Sequence, residues 1–185
     1  MDSLIVDLYK NCKANNGGHI CYLYNNEENY ITNAVSFIVA GIKNGDNILL
    51  LENDRHIRQI KTRLEKELTT EELSYLQVIN NFDFYYTHGN FHPQTVVDQF
   101  IKNTETQLQK RASISTWGFI EWREDQEICN SIAKYEQELH KHLDGKGIVS
   151  VCVYNADRVT DSFQQVLQDC HGIVMNEKEV IHVSQ

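Results

Sequence analysis

The sequence predicts an α/β fold in which a largely parallel sheet is covered on both faces, giving three layers. Strand-like and helix-like segments alternate along the chain. The strand segments are apolar throughout rather than at every second position, the mark of strands buried on both sides. A length of 185 residues, 41% of them apolar, suits one domain with a single core, and one proline with nine glycines argues against long linkers.

Leu4, Ile5, Leu8, Tyr9 and Cys12 fall at helical spacing, and Gly17-Gly18 can end that helix, which is expected to pack on the rest of the domain. His19-Ile20-Cys21-Tyr22-Leu23-Tyr24 reads as a buried strand. The next helix opens at Asn25-Asn26-Glu27-Glu28-Asn29, carries its apolar face on Tyr30 through Ile42, and closes at Asn44-Gly45. Asn47–Leu51 is the second strand. Asn53 or Asp54 caps a helix bearing Ile57, Ile60, Leu64 and Leu68. Thr69-Thr70-Glu71-Glu72 has capping-box form and predicts a short helix through Leu76. Phe82–Tyr86 is expected to be the third strand. Pro93 stands at the first turn of a helix through Leu108, residues 112–120 form a fourth strand, and Ile128, Ile132, Tyr135 and Leu139 mark another helix. Ile148–Tyr154 is the clearest buried strand. A helix over Phe163, Val166 and Leu167 follows, then short strands near Ile173-Val174 and Val180-Ile181.

Charge narrows the function classes. With 17 basic and 26 acidic residues the net charge is −9, which argues against nonspecific binding to nucleic acid or to an anionic membrane. No apolar run approaches the roughly 18–20 residues that span a bilayer. Met1-Asp2-Ser3-Leu4 lacks the basic and apolar regions of a secretory signal, so a cytoplasmic location is expected. The five cysteines are odd in number, widely spread and form no CxxC pair, which reads as buried reduced thiols.

In open α/β sheets ligands bind beyond the carboxyl ends of the strands. Here those ends carry Tyr24, Asn25, Glu52, Tyr86, His88, Glu121, Trp122 and Tyr154, which we take as the candidate ligand-binding residues. The set suits a small ligand held by aromatic walls and a few hydrogen bonds. The turn after the first strand has no glycine, no lysine and two carboxylates, so it lacks the bare N–H cradle that phosphates use. Neutral or cationic small molecules are therefore expected there over phosphates.

Other chemistry finds less support. His88 and His92 flank Gly89 and Asn90, so they lie in a loop and not on the helical face that a paired-histidine zinc site needs. His19 and Cys21 share one face of a strand, yet a metal site would need a distant third ligand, and solvated or packed histidines are the expectation. No GxSxG elbow is present, and Cys152 and Cys21 sit mid-strand without a base nearby in sequence. Glu121 beside Trp122 and Arg123 could serve as a carboxylate of raised pKa, or pair with an arginine while Trp117 and Trp122 pack. No catalytic residue, cofactor or metal ligand is assigned.

Taken in order, His19–Tyr24, Phe37–Gly45, Tyr85-Tyr86 with Phe91-His92-Pro93, Thr116–Trp122, Tyr135-Glu136 and Val151–Tyr154 with Cys170-His171 resemble the MEDS family. This is the sensory domain first named from methanogen and methylotroph regulators, including the dichloromethane-responsive repressor. The resemblance covers nearly the whole chain, residues 1–185, with residues 1–17 as an amino-terminal helix. It implies a RecA/KaiC-like fold without a working phosphate loop, and the sensing of small molecules such as hydrocarbon derivatives. Family members are often joined to DNA-binding or histidine-kinase domains. The chain given carries no such output domain, so the resemblance implies a signal to a separate histidine kinase, anti-sigma factor or transcription regulator, or to another copy of itself. Ser115 departs from the pattern, standing where relatives often have an arginine. The leading expectation is thus a non-catalytic sensory domain. The alternatives are a residual ATPase using Glu52 or Glu121 with a metal, and a pure protein-interaction module docking through the acidic cluster Glu65, Glu67, Glu71 and Glu72.

Overall fold

A computed structural model describes residues 3–123 and 127–183; Met1 and Asp2, on which part of the signal-peptide reading falls, lie outside them. The elements run α1 (Leu4–Ala14), β1 (Gly18–Tyr24), α2 (Glu27–Lys43), β2 (Asp46–Glu52), α3 (Asp54–Glu67) and α4 (Thr70–Leu73). They continue as β3 (Leu76–Asn80), α5 (Asn81–Tyr85), α6 (Pro93–Gln107), β4 (Ser113–Phe119), α7 (Ile128–Leu143) and β5 (Val149–Asn155). A 3-10 turn at Ala156–Arg158 leads to α8 (Asp161–Cys170), β6 (Ile173–Met175) and β7 (Val180–His182).

The seven strands lie in the order β3-β2-β4-β5-β1-β6-β7, all parallel except β7, which runs antiparallel to β6. β1, β2, β4 and β5 are buried along nearly their whole length, including the polar Asp46, Asn47, Glu52, Ser115, Thr116 and Ser150. One face, bearing Tyr22, Tyr24, Leu50, Trp117 and Val151, packs under α1, α2 and α3. The other, bearing Cys21, Leu49, Leu51, Cys152 and Tyr154, packs under α5 to α8. The three-layer expectation holds. Among the described residues no helix is long and apolar enough to cross a membrane.

Helix starts follow local side-chain chemistry. Asn26 accepts from the Asn29 N–H, Asn53 from His56, and Thr160 from Phe163, each satisfying a donor that a helix leaves open. Thr69 and Glu72 form the reciprocal capping box that the sequence shows.

One expectation is corrected. Phe82–Tyr86 is not the third strand; that strand is Leu76–Asn80, and the short α4 ends before it, at Leu73. Asn80 accepts from the N–H groups of both Phe82 and Asp83 and so turns the chain into helix α5 immediately. The five aromatic and apolar residues there resemble a strand, but Phe84 and Tyr85 face the core while Phe82 and Asp83 face out, a helical split.

Candidate functional site

At the carboxyl end of the sheet, Tyr24, His56, Phe119, Glu121, Trp122 and Arg158 line a cavity of about 160 Å³. The parallel strands bring these residues together from the ends of β1, β4 and β5 and the start of α3. Tyr24 stacks on Tyr30 with ring centroids 4.6 Å apart. Glu121 accepts from Asn81 Nδ2 at 2.8 Å, and Tyr86 donates to the Glu121 carbonyl at 2.9 Å. Arg158 lies over the Trp122 ring, its guanidinium carbon 4.6 Å from the centroid.

Behind this wall a buried polar chain runs into the core. Trp117 Nε1 donates to the Tyr30 hydroxyl at 3.0 Å, and Tyr30 donates in turn to Glu52. Glu52 also faces His56 Nδ1 at 3.0 Å and accepts from the Asn53 N–H, while His56 Nε2 stands 3.1 Å from Glu27. Burial pushes the Glu52 carboxyl up. Burial also pulls His56 down, but the carboxylates of Glu52 and Glu27 outweigh it and hold the imidazole above its ordinary value. Glu52 is therefore fully buried and held by internal partners.

The predicted residues separate into groups. Tyr24, Glu121 and Trp122 line the cavity, Glu52 lies behind it next to His56, and Tyr86 braces Glu121. His88 is exposed in the loop after α5. Asn25 sits at the exposed turn before α2, where its N–H and that of Asn26 both donate to Glu177 Oε1, at 2.9 and 3.1 Å. Tyr154 points to the opposite side of the sheet, where its hydroxyl donates to Glu136. The cavity lining includes Arg55 and Arg158 as well as Glu121, so its charge is mixed, not simply acidic. Ser115, the departure from the family pattern, is buried and donates to Asp46 at 2.7 Å. Trp117 and Trp122 each pack, but in different layers.

Reading by sequence missed a second constellation. His19 from β1, Glu136 from α7, Cys152 from β5 and His171 at the end of α8 are all buried, with ligand atoms within 4.8 Å of one another. His19 and Cys152 are in neighbouring parallel strands, and Cys152 has Glu136 at 3.4 Å and His19 at 3.5 Å, bases that sequence distance concealed. Burial, followed by the Glu136 charge, pushes the Cys152 thiol well up. Burial, followed by the nearby His171, lowers His19 to about 4, so its imidazole is neutral near pH 7. All four residues lie in the segments that carry the family resemblance (His19–Tyr24, Tyr135-Glu136, Val151–Tyr154 and Cys170-His171), the signal that could have directed attention there. A larger open groove, about 460 Å³, runs along α1 and α2 away from both places, between Tyr9, Val39 and Lys43.

Residues 18–172 match the family described as MEDS, MEthanogen/methylotroph, DcmR Sensory domain. The chain belongs to the MEDS family. No relative among the curated proteins matches it by sequence. In structure the MEDS chain is similar to a KaiC-like protein from the hyperthermophilic archaeon Pyrococcus horikoshii OT3, at TM-score 0.56 and 13% identity over 89% of this chain and 75% of that one. It is also similar to an ATPase from the type III secretion system of pathogenic bacteria, at TM-score 0.50 and 11% identity over 86% of this chain and 52% of that one. At these identities the likeness establishes a RecA/KaiC-like fold.

Proposed function

We propose that this MEDS domain is a non-catalytic cytoplasmic sensor that binds a small molecule at the carboxyl end of its sheet and signals to a separate regulatory protein. The observation that carries the reading is at the first turn. The N–H groups of Asn25 and Asn26, beside the start of α2, are held by the chain's own Glu177 carboxylate. A helix amino end is where a phosphate would be received, and here an internal carboxylate takes that place, with Glu27 and Glu28 adding charge in the first helical turn. The phosphate loop of a nucleotide enzyme has, on this reading, been replaced by an internal latch. The cavity at the strand ends is of benzene size, walled by Tyr24, Phe119 and Trp122 and lined more by polar side chains, among them Arg55, His56, Glu121, Asn155 and Arg158. That volume and lining suit a compact polar ligand better than a nucleotide. The five cysteines are all free thiols, as a reducing compartment would keep them.

A thermal-shift and calorimetric panel of small alcohols, amides, halogenated and aromatic compounds tests the reading on the full chain. A hit that raises the melting temperature, and loses about tenfold or more in affinity in Glu121→Gln or Arg158→Ala through loss of a charged hydrogen bond, supports it. Magnesium-dependent ATP hydrolysis that disappears in Glu121→Gln overturns it in favour of a residual ATPase.

A further inference from the structure

Between the sheet and helices α7 and α8, four donor side chains converge in the interior. Glu136 Oε2 has three neighbours: His19 Nε2 at 3.1 Å, His171 Nε2 at 3.3 Å and Cys152 Sγ at 3.4 Å. Cys152 Sγ lies 3.5 Å from His19 Nε2. Four ligands around one zinc ion, at about 2.0–2.1 Å for nitrogen and oxygen and about 2.3 Å for sulfur, stand roughly 3.3–3.6 Å apart at the corners of a tetrahedron. Three of the four separations fall at those edges, the His19–Glu136 pair at 3.1 Å is slightly shorter, and the remaining pairs lie within 4.8 Å. We propose that His19, Glu136, Cys152 and His171 form an internal site for a divalent zinc-class metal ion.

The ring orientations agree with this. His171 Nδ1 donates to the Leu167 carbonyl at 2.7 Å, which fixes the ring and turns its Nε2 into the cluster. That Nε2 is buried and stands 3.3 Å from Glu136 Oε2. A cation placed between them would take one ligand atom from each. His19 is oriented likewise: its Nδ1 meets His140 Nδ1 at 3.0 Å, and its Nε2 faces the cluster. Tyr154 donates to the second oxygen of Glu136 and orients the carboxylate. Every ligand but the thiol thus has an outer partner that fixes it, the arrangement that protein metal sites use. Two neutral imidazoles, one carboxylate and one thiolate make a four-coordinate, net-neutral site for a dication, with softness suited to zinc or cobalt over magnesium or calcium. A cavity of about 220 Å³ lined by Asn16, His19, His140 and Asp144 leads from the surface to His19, giving an entry path. Because the ligands come from β1, α7, β5 and α8, a bound ion would tie one helical layer to the two central strands.

The site is independent of the strand-end ligand, and its test needs no knowledge of that ligand. The full chain, stripped with a chelator and titrated with Co²⁺, is expected to bind one equivalent. It should show the visible bands of tetrahedral cobalt together with a thiolate-to-cobalt charge-transfer band in the near ultraviolet. Cys152→Ser should abolish the charge-transfer band and weaken zinc binding by about 100-fold or more, since even outer partners are worth about 10–100-fold. Cys129→Ser, outside the cluster, should leave both unchanged. His171→Ala adds a second check, and X-ray absorption on the zinc-loaded wild type should show two nitrogens, one oxygen and one sulfur. No stoichiometric binding overturns the proposal, as does a charge-transfer band that survives in Cys152→Ser or cobalt held octahedrally by surface histidines.

Discussion

At the scale of single residues, Gly118 shows how closely the two layers meet through the sheet. A Cβ at this position would stand 2.4 Å from the Tyr85 hydroxyl. Tyr85 is buried, its ring is stacked on Phe91 and set edge-on to Tyr135, so it has no room to yield. Gly118→Ala is therefore expected to destabilise the fold by about 1–3 kcal/mol, the usual cost of overpacking, measured as a lower urea midpoint. Gly118→Ala with Tyr85→Phe should recover most of the loss, because the clashing atom is the phenolic oxygen. An unchanged midpoint in Gly118→Ala would show that the Tyr85 ring moves freely. Residue chemistry was only partly legible in sequence. Tyr24, Glu121 and Trp122 sit where strand-end logic puts them, because a parallel sheet aligns its carboxyl ends. Tyr154 does not, because one residue's shift along a strand reverses its face. His171 and Glu136 lie 35 positions apart and meet only through the packing of α7 on α8, which no spacing rule anticipates.

At the scale of elements, one carboxylate joins three of them. Asp46, at the start of β2, is fully buried and accepts hydrogen bonds from Tyr9 of α1 and from Ser113 and Ser115 of β4, with Lys13 Nζ at 3.0 Å. Burial pushes its pKa up, but the hydroxyls of Ser113, Tyr9 and Ser115 and the Lys13 ammonium more than offset this and hold it below the ordinary value. A carboxyl whose folded pKa is depressed binds its proton more weakly in the folded than in the unfolded chain. Its stabilisation is therefore complete above the unfolded value, about 3.9, and is lost as pH falls below that through the folded value. Asp46→Asn should cost about 2 kcal/mol at pH 7, the scale of hydrogen bonds to a charged group. In urea titrations the gap to wild type should narrow as pH drops below 4, and a gap constant from pH 7 to the acid limit would refute the assignment. Element starts were read well where a cap marked them, at Asn53, Thr69 and Pro93, and the strand Ile148–Tyr154 holds to within a residue, though the helix after Thr69 is shorter than expected. The failure at Phe82–Tyr86 has a local cause. Leu76–Asn80 is half-exposed at the sheet edge and carries Gln77 and Asn80, so it lacks the apolar signature of the central strands, while the aromatic run after it carries that signature in a helix.

At the scale of the molecule, the question is where the folding unit begins. The family match starts at Gly18, the first residue of β1, and leaves α1 outside. Yet Ile5, Leu8, Tyr9 and Cys12 of α1 are buried in the same core as α2 and β1, with Tyr9 set edge-on to Phe37 at 5.6 Å. Each such side chain contributes about 1.5–3 kcal/mol on burial, and a single domain has only about 5–15 kcal/mol in all. Removing α1 would also strip Tyr9 and Lys13 from Asp46, leaving a buried carboxylate with two serines as partners. A buried charge that loses its counter-ion costs more than a neutral group of the same shape. A chain starting at residue 16 is therefore expected to unfold at a much lower urea concentration than the full chain, or to expose apolar surface in the absence of denaturant. The decisive comparison is the sign of Asp46→Asn in the two backgrounds. In the full chain it destabilises; without α1 it should stabilise, because the amide relieves an uncompensated charge. Equal midpoints for the two chains, or the same sign for Asp46→Asn in both, would place the start of the folding unit at β1 and make α1 an attachment to the sensory domain.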